Sequence, residues 1–135
     1  IEPEIHRETY QKGDDPHLGP GSGIVLWAED ERGTRLGADA LGERGKSAEV
    51  VGKTAASSLV DELFAGMAID SHLCDMIIPY LAIASGTSKI GVTKITNHLT
   101  TNIWVTERIL ETHFDLQSGP DETAVLTIEG TRLSL

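Results

Sequence analysis

The sequence predicts an α+β fold, with helices layered on β-sheet, and three features carry that prediction. Segments with apolar residues at helical spacing alternate with short β-branched runs. The second half reads helix, strand, helix, strand, strand, and its last two strands flank the turn-prone Ser118-Gly119-Pro120-Asp121. Helices mixed with strands and closed by a hairpin indicate α+β layers, and 135 residues are enough to bury an adequate single core.

The elements follow in order. Residues 1 to about 20 are polar and turn-rich and lead through Gly13-Asp14-Asp15-Pro16 to Gly21-Ser22-Gly23, which predicts an exposed entrance segment. Ile24 to Ala28 is a strand candidate, a turn falls near Glu31-Arg32-Gly33, and a second strand lies near Arg35 to Ala38. Gly42-Glu43-Arg44-Gly45 reads as a connector. From Ser47 to about Ala65, residues Val50, Val51, Ala55, Leu59, Val60, Leu63 and Phe64 form one apolar helical face, and Gly66 is its stop. The next helix is marked by Leu73, Ile77 and Leu81 at four-residue steps, with Asp70 or Ser71 as cap and Pro79 limiting its regularity. Lys89 to Ile95 has strand content, with Ile90 and Val92 on one face and Thr93 and Ile95 on the other. Leu99, Ile103, Thr106 and Leu110 define a third helix. Phe114 to Gln117 and Ala124 to Ile128 are the closing strands, with a short edge expected at Thr131 to Leu135.

The stretch Ile95-Thr96-Asn97-His98-Leu99 hands a strand over to a helix and puts an imidazole at the junction. Asn97 is the expected N-cap, which makes His98 the first helical residue. The first turn of a helix offers unpaired amides and a partial positive charge of about half a unit, so an anion is favoured there. A ring nitrogen of His98 attacking a phosphate would have donors beside it for the charge that develops on the phosphoryl oxygens. Equally, a lone histidine at a helix start can serve only as a cap or in packing.

Composition limits the alternatives. Eleven basic against twenty-one acidic residues leave a net charge of −10 with no basic tract, which argues against an extended nucleic-acid groove. Lys94 and Arg108 flank His98 in sequence and read as solvated surface residues. No apolar run approaches the roughly 20 residues that span a bilayer, and no N-terminal signal pattern is present, so a soluble cytoplasmic protein with no membrane partner is expected. The single Cys74 excludes an internal disulfide. Glu29-Asp30-Glu31 reads as a solvated turn, and His6, His17 and His113 lack metal-ligand spacing, so no residue is assigned to a metal; His113, opening a strand, is expected to be the most buried of the three.

Several ordered blocks carry a family resemblance. Asn97-His98-Leu99-Thr100-Thr101-Asn102-Ile103, the upstream block from Asp70 to Ala82, Gly21-Ser22-Gly23 to Glu29 and Leu36-Gly37-Ala38 to Gly42 together resemble the C-terminal part of RNA 3'-terminal phosphate cyclase. The resemblance implies that residues 1–67 are part of the family's small inserted domain and that 68–135 are its last βαβαββ repeat. It implies ATP as co-substrate, a divalent cation (Mg or Mn) and the 3' end of an RNA bearing a terminal phosphate as partner. The matching histidine, His98, would take the adenylyl group, and a 2',3'-cyclic phosphate would result. His72, often aromatic in the family, could stack on the base, and Asp75 could bond a polar edge of the nucleotide. His72 and Asp75 also share a helical face, where an ordinary surface pair would account for them. The next family position is often a polar amide, and Met76 departs from it.

A start at Ile1 and a span well under half of the family's length imply that a missing N-terminal portion or a companion chain completes the nucleotide pocket and carries an acidic metal contact. Only the terminal phosphate and one or two nucleotides would then be gripped, consistent with the acidic balance. Two other classes share parts of the pattern: a non-catalytic cyclase-like factor in ribosomal RNA maturation, which would lack the nucleophilic histidine, and an enolpyruvyl transferase with the same repeat architecture.

Overall fold

The computed structural model describes residues 3–11 and 13–132, and its elements group around two hydrophobic cores. The first group is a hairpin, β1 (Gly23–Glu29) and β2 (Arg35–Leu41), with helix α1 (Ala48–Ala65) packed on it. The second holds helix α2 (Ser71–Ile83), strand β3 (Ser85–Val92), helix α3 (Asn97–Leu110) and strands β4 (Phe114–Ser118) and β5 (Ala124–Thr131). Its sheet runs β3-β5-β4, antiparallel throughout, and a parallel bridge between Ile69 and Val92 adds the segment ahead of α2 to the outer side of β3. This is an α+β architecture, and the succession from Ile69 onward follows a βαβαββ order.

The larger core is built from Cys74, Ile78 and Ala82 of α2, Val92, Leu99, Phe114, and the alternate residues Ala124, Leu126 and Ile128 of β5. That alternation is the period of two that turns one strand face inward. In α2 the buried residues are Cys74, Ile78, Leu81 and Ala82; of the expected row Leu81 is buried and Ile77 packs partly buried against the core, whereas Leu73 stands outside. In α3 the expected row holds, with Leu99 and Thr106 buried and Ile103 and Leu110 partly so.

Helix α1 starts at Ser47, whose hydroxyl accepts from the Val50 amide, and stops at Gly66, whose φ of 64° is the left-handed cap that glycine adopts without strain. Its expected apolar face is largely uncovered. Only Val51 and Ala55 are buried, whereas Val50, Val60, Leu63 and Phe64 are exposed, Phe64 at 87%. A two-stranded hairpin is too narrow to cover more than one strip of a helix, and Ile24, Leu26 and Ala40 meet α1 along that strip.

Several boundaries differ from the sequence reading. Strand β2 runs three residues past Ala38 because each residue from Arg35 to Leu41 pairs with β1. Strand β3 lies upstream of its expected span, since pairing with β5 runs from Ser85↔Thr131 to Val92↔Ala124 and the chain turns at Thr93 to enter α3. Thr131 ends β5, and the rest of the expected terminal edge lies outside the described residues except for Arg132. His113 precedes β4 with its side chain 84% exposed and within 2.9 Å of Glu107, so it is not buried.

Candidate functional site

Helix α3 is capped by Thr96, not Asn97. The Thr96 hydroxyl accepts from the Leu99 amide at 2.9 Å, and its carbonyl accepts from the Thr100 amide. Asn97 therefore opens the helix, and His98 is its second residue. Both residues can cap a helix, and the choice is made from outside. The Thr96 hydroxyl donates its one proton to Asp75 Oδ1 of α2 at 2.6 Å, which leaves a lone pair for Leu99. With Leu99 and Thr100 served, the amides of Asn97 and His98 have no protein acceptor among the described residues. His98 is exposed, and no hydrogen bond to its ring occurs among the described residues. An exposed imidazole beside two free amides at the positive end of a helix has both a nucleophile and donors for an oxyanion.

Asp75 is tied to α3 a second time. Pro79 lies inside α2 and has no amide proton for the carbonyl four residues before it, which is that of Asp75. The Asn102 side-chain amide donates to that carbonyl at 2.6 Å. The helix thus continues through Pro79 to Ile83 with its freed acceptor satisfied from the neighbouring helix. Sequence reasoning gave no role to Asn102, although a proline four residues after Asp75 in a helical pattern signals a carbonyl in need of a donor.

The remaining sequence-predicted residues lie apart from this joint. His72 is exposed on the first turn of α2, with Nε2 3.6 Å from Asp39 Oδ1 of β2, a surface pair of small energetic worth. His72 lines an acidic recess with Asp39, Asp61, Glu62 and Lys94, and His98 is not among its lining residues. Met76 is 72% exposed. Lys94 pairs with Glu122 at 3.3 Å, and the Arg108 guanidinium lies over the Trp104 ring. The carboxylate of Asp30 accepts from the amides of Arg32 and Thr34, and the Thr34 bond in particular holds its pKa below the ordinary carboxylate range. Cys74 is fully buried, and burial, followed by the charges of Asp75 and Asp70, pushes its thiol up to about 12. A thiol in that state is no nucleophile at neutral pH.

Among the described residues no three His, Cys, Asp or Glu side chains gather as a metal site. The residues at hand do not fit a divalent cation by themselves. No helix among the described residues is long and apolar enough to cross a membrane.

A family model for the RNA 3'-terminal phosphate cyclase (RTC) insert domain matches residues 2–64, the hairpin and α1 with the segment ahead of them. The likeness extends through the α3 half. The chain is 57% identical over 128 residues to an RNA 3'-terminal phosphate cyclase of Methanopyrus kandleri, which covers 95% of this chain and 36% of that protein. It is 55% identical over 132 residues to the protein of that name from Korarchaeum cryptofilum, covering 98% of this chain and 36% of the relative. With the Staphylothermus marinus protein the identity is 53% over 135 residues, covering 99% and 38%. The chain belongs to the RNA 3'-terminal phosphate cyclase family, and it spans a little over a third of the length of these curated relatives.

Proposed function

We propose that this chain is the part of an ATP-dependent RNA 3'-phosphate cyclase that carries the nucleophile, and that His98 is that nucleophile. The observation that supports this most directly is the exposed imidazole of His98 in the first turn of α3, beside the free amides of Asn97 and His98. A ring nitrogen of His98 attacks the α-phosphorus of ATP. An N–P bond forms, the P–O bond to the departing pyrophosphate breaks, and the free amides stabilise charge on the phosphoryl oxygens. The adenylyl group then passes from His98 to an oxygen of the RNA 3'-phosphate, so the terminal phosphate acquires AMP as a leaving group. The adjacent 2'-hydroxyl attacks that phosphorus, loses its proton and expels AMP, leaving a 2',3'-cyclic phosphate. The last step is intramolecular and gains from proximity.

In this reading residues 1–67 are part of the insert domain, and 68–135 form the repeat that presents His98. His72 offers a ring for the base, Asp75 an acceptor for the nucleotide and Met76 an apolar surface beside it. The remainder of the full-length protein encloses the nucleotide and supplies the ligands of a divalent cation, which the residues described here do not provide. The net charge of −10 limits the RNA contact of this part to the terminal phosphate and its nearest nucleotides.

Incubating the full-length protein and its His98→Ala variant with α-labelled ATP and Mg or Mn, followed by denaturing electrophoresis, tests the reading. An acid-labile label on the parent that is lost in the variant is expected. No label on the parent would move the assignment to a cyclase-like factor in ribosomal RNA maturation.

A further inference from the structure

Pro79, Asp75, Thr96 and Asn102 form a closed set of contacts between α2 and α3. A proline in the interior of a helix is costly, because it removes one hydrogen bond and crowds the carbonyl four residues earlier. Here that carbonyl is turned to use: it takes the Asn102 side chain on the second turn of α3. Asp75 meets α3 again six residues earlier, at the N-cap, where its carboxylate takes the Thr96 hydroxyl. One residue of α2 therefore grips α3 on both sides of His98, through its side chain at Thr96 and its main chain at Asn102. Thr96, Asp75 and Asn102 are all partly buried, so water competes poorly for these bonds. Two anchors six residues apart fix both the axial position of α3 and its rotation about its own axis. Rotation of α3 is what decides where the exposed His98 ring points.

We propose that Asn102 is a positioning residue for His98: it uses the carbonyl that Pro79 frees on Asp75 to lock the rotation and height of α3, so that the His98 ring meets the α-phosphate in line. This rests on His98 being the nucleophile. Asn102 need touch neither nucleotide nor RNA. Its contribution is to kcat for self-adenylylation and not to the affinity for ATP.

Pro79 makes the idea separable from a merely structural role. In a Pro79→Ala protein the residue at 79 regains an amide proton, which can satisfy the Asp75 carbonyl within α2. The buried acceptor is then paired without Asn102, but α3 has lost its second anchor. The experiment is single-turnover self-adenylylation of the full-length protein with α-labelled ATP over a range of ATP concentrations, with thermal denaturation of the same samples. Four proteins are compared: the parent, Asn102→Ala, Pro79→Ala and the double variant.

The expected result is that Asn102→Ala lowers both Tm and the saturating rate, the rate by roughly tenfold to a hundredfold with the half-saturating ATP within about twofold of the parent, as small misplacements of reacting groups do. The double variant should regain Tm while its rate stays low. Full recovery of the rate in the double variant would show that Asn102 only satisfies a buried carbonyl, and would overturn the proposal. A labelled parent with an Asn102→Ala rate unchanged would overturn it too, while leaving His98 as nucleophile. A parent that takes no label would overturn the nucleophile and the positioning role together.

Discussion

The main-chain amide of Gly37 in β2 donates to Asp70 Oδ2 at 3.0 Å, while the other oxygen of the same carboxylate caps α2 by accepting from the Leu73 amide at 2.8 Å. One side chain thereby starts a helix of the larger core and holds a strand of the smaller one. Glu62 of α1 reinforces the junction by accepting from the Ser71 amide and hydroxyl. Asp70 is 9% exposed, so both of its bonds are sheltered from water. Asp70→Ala should cost about 2 kcal/mol, the sum of a lost cap and a stranded partly buried amide. Asp70→Asn, which keeps a single acceptor oxygen, should cost about half as much. Urea denaturation of the two variants checks the ordering, and an Asp70→Asn protein as stable as the parent would show that only the cap matters.

The assignment of the α3 cap to Thr96 makes neighbouring substitutions unequal. Thr96→Val retains the shape but loses the hydroxyl, which strands the Leu99 amide and the Asp75 carboxylate, and should cost about 1 to 2 kcal/mol. Asn97→Ala should change stability by less than about 0.5 kcal/mol, as surface substitutions do. Denaturant midpoints that showed the reverse order would return the cap to Asn97.

Cys74 gives stability a dependence on alkaline pH. Its folded thiol is pushed up to about 12 from an ordinary value of 9.0, so the native state keeps a proton that the unfolded chain gives up. The stabilising contribution is complete below pH 9 and is lost as pH rises towards 12. Between those values the slope is on the order of 1 kcal/mol per pH unit. The parent should therefore lose stability more steeply than Cys74→Ala between pH 9 and 11, once the difference in core packing at neutral pH is subtracted. In the same pH range iodoacetamide should alkylate Cys74 only when denaturant is present.

Two glycines should respond to alanine in opposite senses. Gly52 lies within α1 with nothing near the place a Cβ would take, so Gly52→Ala should stabilise by about 0.5 to 1 kcal/mol through helix propensity. At Gly130 in β5 the added carbon would fall on the carbonyl oxygen of Ala84, a backbone atom that cannot swing aside. Gly130→Ala should cost about 2 kcal/mol or more by overpacking. Thermal melts of both variants decide the matter.

Much of this fold could be read from local chemistry. Ser47 and Gly66 bracket α1 because a hydroxyl cap and a left-handed glycine act within a turn of their own position. Ser118-Gly119-Pro120-Asp121 separates β4 from β5 for the same reason, and His98 stands in the first turn of α3 as its sequence context indicates. What escaped reading depends on residues far apart in the chain. Thr96 and Asn97 have similar capping ability, and Asp75, twenty-one residues upstream, chooses between them. The apolar face of α1 was legible as a pattern, but periodicity reports what a helix offers and not how much lies opposite it. In α2 the expected row held at Leu81 and in part at Ile77 but failed at Leu73, where the small Cys74 next to it is the residue that goes inside. At the site, the contacts that orient α3 pass through Asn102 and a main-chain carbonyl, and a carbonyl has no letter in the sequence.

The division of apolar burial between two cores has a dynamic consequence. Ala40, Val51 and Ala55 form a far smaller nucleus than the ten buried residues around Ile78 and Leu126, and polar bonds at residues 70–72 help hold the two together. Opening free energies follow buried apolar contact, so the hairpin and α1 should exchange their amide hydrogens for deuterium well before β3, β5 and the buried turns of α2. The ring of His72 would then have a partner, Asp39, that comes and goes with local opening, while His98 stands on a helix anchored in the larger core through Leu99.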